Sequence, residues 1–104
     1  MTRGTTPTHT FTLPPQYTNT TFSSLFVTYK QNDVIVEKEL NDTGVTRTGC
    51  LITVKLSQSE TLKFSANNLE QAKVQLRAKT NDGTVLASKI MFVPIEDILK
   101  EGEI

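Results

Sequence analysis

The chain has no tryptophan, one histidine and one cysteine, and each scarcity removes a class of chemistry. With Cys50 alone no intramolecular disulfide can form. A structural zinc site would have to be built around His9, with ligands at a spacing the sequence does not supply. This cysteine usage points to a reducing compartment. Any His-dependent triad or general base must use His9, which stands in a threonine-rich run with no partner motif beside it. The want of tryptophan weakens a carbohydrate-binding reading. Charge of one sign is missing too: 11 Lys and Arg balance 11 Asp and Glu, which leaves out the electrostatic footprint of a nucleic-acid binder. No apolar run approaches the roughly 20 residues that span a bilayer, and "MTRGTTPTHTF" lacks the apolar stretch of a secretory signal. The expectation is a soluble protein made in the cytoplasm, so the sequons at Asn19 and Asn41 read as chance. The glycines stand singly and form neither a phosphate loop nor a dinucleotide fingerprint. No repeat period is present.

What is there is threonine, together with Val, Ile, Leu and Phe spread along 104 residues. That length suffices for one domain with one core, and the β-branched residues favour extended structure. Residues 1–8 read as a flexible arm. "HTFTL" at 9–13 alternates and is stopped by Pro14-Pro15. "FSSLFVTYKQNDVIVEKEL", 22–40, reads as two alternating runs hinged at Asn32-Asp33, which pairs Tyr29 with Val36, Leu25 with Leu40 and Val27 with Lys38. A lysine on the core face is the weak point of that register. Residues 41–49 read as a connection. In "CLITVKL", 50–56, Ile52, Val54 and Leu56 share the core face.

Ser57 and Glu60 have capping-box spacing and predict a helical turn near 58–62, with "TLKF", 61–64, as a brief strand that puts Leu62 and Phe64 inward. Residues 65–72 read as polar connection. In "KVQLRAKTNDGTVLASKIMFVP", 73–94, a two-residue Asp82-Gly83 loop would pair Leu76 with Lys89 and Val74 with Met91. A three-residue Asn81-Asp82-Gly83 loop with Gly83 in a G1 bulge pairs Ala78 with Leu86, Leu76 with Ser88 and Val74 with Ile90, and is the predicted register. Ile95, Ile98 and Leu99 have helical spacing, so 95–104 is a short helix or an acidic tail. Some six or seven strands at regular turn spacing predict an all-β antiparallel sandwich, with a small open barrel as the alternative.

No catalytic, cofactor-binding or metal-ligating residue is assigned. His9 reads as a surface or edge-strand residue, and Cys50 as a small buried hydrophobe. Asp33, Asp42 and Asp82 fall in turns, where aspartate bonds its own backbone, and no loop has the ligand density of an EF-hand. Tyr17, Phe22, Phe26 and Tyr29 are read as core aromatics, with a ligand-binding face as the alternative.

Three stretches carry a resemblance: "MTRGTTPTHTFTLP"; "VTYKQNDVIVEKEL" followed by "ITVKLSQSETLKF"; and "VQLRAKTNDGTVLASKIMFVPIEDIL". Together they resemble small prophage-encoded structural proteins of the tail or baseplate region in Gram-positive bacteria, and the middle and last are similar to the immunoglobulin-like N-terminal domain of phage baseplate upper proteins. The resemblance implies a single immunoglobulin-like β-sandwich over 9–94, made in a bacterial host and incorporated in a virion or used in its assembly. It implies a non-enzymatic role through contacts with other phage structural or assembly proteins, and no site residue is carried over from it. Self-association into a homo-oligomer is a further expectation; no cofactor, nucleic acid or membrane is expected. If the last hairpin carries function, it lies in the outward row of Gln75, Arg77, Lys79, Val85, Ala87 and Lys89. The alternative is a small carbohydrate- or peptide-binding module that uses Tyr17 and Tyr29.

Overall fold

Period-two alternation becomes strand wherever one face can be buried, and here it does so along most of the chain. The computed structural model describes residues 1–104, with 45% of them in strands and 7% helical. The strands are β1 (Thr8–Thr12), β2 (Phe22–Gln31), β3 (Val34–Glu39), β4 (Val45–Thr48), β5 (Leu51–Lys55), β6 (Ala72–Thr80), β7 (Val85–Ala87) and β8 (Met91–Val93), with a 3-10 turn at Pro15–Tyr17 after β1 and one α-helical turn, α1 (Gln58–Thr61), after β5. They form a smaller sheet in the order β1-β5-β4 and a larger one in the order β3-β2-β6-β7, where β8 also pairs with β6. Every ladder is antiparallel. The expected all-β antiparallel sandwich is therefore what forms.

Its core is a single cluster. Phe11, Val45, Ile52 and Val54 come from the smaller sheet, and Leu25, Val27, Tyr29, Val74 and Leu76 from the larger. Each such aliphatic side chain stabilises the fold by about 1.5–3 kcal/mol. Buried polar groups are matched. Gln31 donates through Nε2 to the Ser65 and Glu70 carbonyls and accepts from the Ser65 amide, which pins the 65–70 connection to the end of β2.

The β2–β3 hairpin has the expected register, Tyr29 opposite Val36 and Val27 opposite Lys38. Asn32 takes the left-handed turn position at φ +52°. The capping box also forms, with Ser57 Oγ accepting from the Glu60 amide and the Glu60 carboxylate from the Ser57 amide.

Three local expectations are corrected. Residues 41–49 are not all connection, because Val45–Thr48 forms β4 against β5; Val45 alone is buried in that strand, too little apolar pattern to read. Residues 61–64 are not a strand. The Phe64 amide donates to the Thr61 carbonyl at 3.3 Å, so it is a turn that carries Phe64 into the core. The last hairpin starts as predicted, with Ala78 opposite Leu86, Gly83 at φ +92° and its amide donating to the Thr80 carbonyl. Val74, however, pairs with Met91 and not with Ile90.

Ser88 causes that slip. Its amide donates to the Leu76 carbonyl, but the Leu76 amide donates to Ser88 Oγ in place of the Ser88 carbonyl. The displaced carbonyl accepts from Gln75 Nε2 instead. The hydroxyl substitutes for the backbone, one extra residue enters the strand, and the result is a bulge between β7 and β8. With β4 added, 61–64 removed and the last strand split, the strand number becomes eight.

The two termini meet. Thr2 bridges Glu96 in parallel, the Met1 ammonium reaches the Glu96 carboxylate at 2.8 Å, and Arg3 binds Asp97 at 2.7 Å and Glu101 at 3.1 Å. Residues 95–104 contain no helix; they are a tail clasped to residues 1–3.

Candidate functional site

The residues of chemical interest are mostly occupied by the framework. His9, on edge strand β1, shares a 2.6 Å hydrogen bond between Nδ1 and the Tyr29 phenol oxygen. Burial, aided by the N-terminal ammonium, lowers the His9 pKa. The Tyr29 phenol is pushed up by burial and then by the charge of Glu60. The bond ties a half-buried histidine on the edge strand to the fully buried Tyr29. Cys50 packs at the margin of the core, its sulfur 3.0 Å from Thr18 Oγ1 and 3.4 Å from the Pro14 carbonyl.

Two of the three turn aspartates do what was expected of them. Asp42 accepts from the Glu39 amide at 2.8 Å. Asp82 accepts from the Thr80 hydroxyl and, at 3.1 Å, from the Thr84 amide, and these bonds hold its carboxyl below the ordinary value. Asp33 is exposed in its turn. No group of three or more His, Cys, Asp and Glu side chains is placed to hold a metal ion.

Sequence reasoning missed the partner of Lys38. Its ammonium lies 3.1 Å from both oxygens of Glu60, so the capping-box glutamate also neutralises the lysine on the core face. Burial pushes the Glu60 carboxyl up, but the Ser57 amide and the Lys38 ammonium outweigh it and hold the group below its ordinary value. The signal was there to find: an inward lysine needs a carboxylate, and Glu60 was the acid already fixed in place. Arg47 is the second missed residue. Its guanidinium caps the carbonyls of Tyr17, Thr20 and Gly49 and lies 4.6 Å above the Phe22 ring. Phe22 stands at a bulge in β2, between Phe22 and Ser24.

Three surfaces remain open. The first is the outer face of the larger sheet, with a shallow depression of about 280 Å³ between Phe26, Glu37, Arg77 and Val85. Of the row singled out in the last hairpin, Arg77, Lys79, Val85 and Ala87 are exposed and Gln75 is half-buried; Lys89 is exposed within the bulge, outside any strand. Val85, Ile90 and Phe92 are 56%, 55% and 63% exposed along this edge. The second is a cleft of about 520 Å³ between β1 and β7–β8. The third is a polar recess of about 610 Å³ over Lys38, Lys55, Ser57 and Glu60. No helix is long and apolar enough to cross a membrane.

Compared with known proteins, the chain matches no family model, no curated protein and no solved structure.

Proposed function

We propose that the chain is a non-enzymatic structural or assembly module of the tail or baseplate region of a phage or prophage particle, and that it works through contacts with other structural or assembly proteins. The observation that carries this reading is Val85, Ile90 and Phe92, large apolar side chains left in solvent along one sheet edge, with Val85 opposite Lys79 and Phe92 opposite Lys73. An antiparallel sheet commonly leaves one face to water, but that face is then polar; large apolar side chains set among charged ones on such a face are what a protein contact would cover. The sequence resemblance supplies the particle.

Strand order supports the immunoglobulin-like part of the reading. With β1 to β7 in the places of strands B, C, C′, D, E, F and G, the sheets read B-E-D and C′-C-F-G, the arrangement of such sandwiches without strand A. The ligand-binding alternative loses one of its two rings, because Tyr29 is fully buried. Mass spectrometry of purified induced particles, with crosslinking to name the neighbour, tests the proposal. The expected result is reproducible recovery with crosslinks from Lys79 or Lys89. Absence from both virions and assembly intermediates would sink it.

A further inference from the structure

The two sheets end side by side in unpaired strands, and the space between those ends has the character of a vacated strand position. In the smaller sheet, the Leu56 amide donates to the Pro7 carbonyl and the Leu13 amide to the Cys50 carbonyl. Antiparallel pairing alternates, so residues 7, 9, 11 and 13 turn their main-chain groups toward β5. Those of Thr8, Thr10 and Thr12 point away, toward an edge where β1 has no neighbour. In the larger sheet, the Thr80 amide donates to the Thr84 carbonyl and the Ser88 amide to the Leu76 carbonyl. By the same alternation Val85 and Ala87 face away from β6.

Between these two edges lies the cleft of about 520 Å³. Phe11, Leu13, Tyr17, Leu76, Leu86 and Met91 line it, and no lining side chain is charged. The opposite side of the sandwich differs: β3 carries Glu37, Lys38 and Glu39, and charged side chains on an edge are a common guard against strand addition.

We infer that this cleft accepts an extended β-strand from another protein, which adds antiparallel to the open edge of β1 and turns alternate side chains between the sheets. The inference rests on the assembly reading above and names its mode of contact. Pro7 and Pro14 bound the five residues of β1, so the docked segment spans about 17 Å. An extended backbone matches three outward residues at strand spacing, as in other strand-addition complexes. Charge complementarity fixes the rest: neutral walls require uncharged apolar side chains at every second position of the guest, because an unpaired charge there would be desolvated without compensation. The position is also the one strand A, the neighbour of B in such sandwiches, would fill.

The test uses the full chain and a synthetic heptapeptide of alternating threonine and valine, with a lysine-for-valine control. Amide hydrogen exchange read by NMR should slow at Thr8, Thr10 and Thr12 with the valine peptide and not with the control. Thr10→Pro removes an amide that β5 does not use, so the sheet keeps its pairing. It should weaken peptide binding about tenfold or more through one lost hydrogen bond and a blocked edge. Leu86→Lys, which charges the opposite wall without touching β1, should weaken it as well and keeps the test decisive if the proline variant misfolds. The inference is overturned by absence of protection at millimolar valine peptide, by equal binding of the lysine control, by wild-type binding in both variants, or by protection of the same amides through self-association alone. Peptide failure with the protein present in particles removes the strand-acceptor inference and leaves the assembly reading intact. Peptide binding with the protein absent from particles does the reverse.

Discussion

Both oxygens of the Glu60 carboxylate lie 3.1 Å from the Lys38 ammonium, and Lys38 is only 9% exposed, so the two partners cost different amounts to remove. Glu60→Gln leaves a largely buried ammonium without a counter-charge and loosens the cap of α1; it should destabilise the fold by about 2 kcal/mol. Lys38→Met removes the charge, keeps the volume and leaves Glu60 bonded to Ser57, so it should cost less than about 1 kcal/mol. Urea unfolding at constant m-value measures both. Equal losses would mean that packing of the lysine stem, and not its charge, dominates. At this scale the sequence was partly legible. The capping box was readable because both members lie within one turn. The ion pair was not, since Lys38 and Glu60 belong to different elements that only the fold brings together.

At the scale of the element, the turns set register, and two glycines with the same sign of φ carry different loads. Gly83, at φ +92°, has open space where a Cβ would stand, whereas at Gly44, φ +87°, a Cβ would meet the Lys55 carbonyl at 2.6 Å. Gly83→Ala should therefore cost about 1 kcal/mol of backbone strain. Gly44→Ala should cost more than about 2 kcal/mol, since strain and a backbone clash add there and β4 must move off β5. Thermal melting of the two variants side by side checks the order; a larger loss at Gly83 would contradict the β4–β5 placement. Ser88→Ala takes the acceptor from the Leu76 amide and should cost about 1 kcal/mol, with faster hydrogen exchange at Leu76. Retained protection there would mean that the Ser88 carbonyl returns to the ladder and the bulge is not fixed by the hydroxyl.

Strands with several inward apolar residues, β2 and β5 among them, were readable from period two alone. β4 was not, because one buried valine makes no period. The β7–β8 slip was not either, because it depends on a side-chain hydroxyl in a backbone role. Each of the two candidate registers for the last hairpin describes part of it, the three-residue register near the turn and the Val74–Met91 pairing beyond Ser88. The open cleft was invisible in the sequence for a different reason: it is made by what β1 and β7 do not pair with.

At the scale of the molecule, acidification should act in two windows. The His9 pKa is lowered by burial, so the folded state binds its proton less readily than the unfolded chain. The stability this contributes is full above the ordinary value of 6.5 and is lost as pH falls below it. Carboxylates with lowered values, Glu60 among them, contribute stability above the ordinary 4.5 that is lost as pH falls through their folded values. Asp97 is lowered by the Ile98 amide and then by Arg3, and Glu96 by the N-terminal ammonium, so the second window also unfastens the C-terminal tail. Melting temperature should decline gently from pH 7 to 5 and more steeply below. His9→Gln should flatten the first decline alone and Glu60→Gln part of the second. Arg3→Ala should reproduce the tail's release at neutral pH, because Arg3 joins Asp97, Glu101 and the Phe64 carbonyl at one point. Trypsin would then cleave faster after Lys100 while the sandwich melts almost as before, since exposed ion pairs add little to global stability. Unchanged cleavage would show that Ile95 and Ile98 hold the tail by packing, and a collapse of melting would show that the clasp is part of the core.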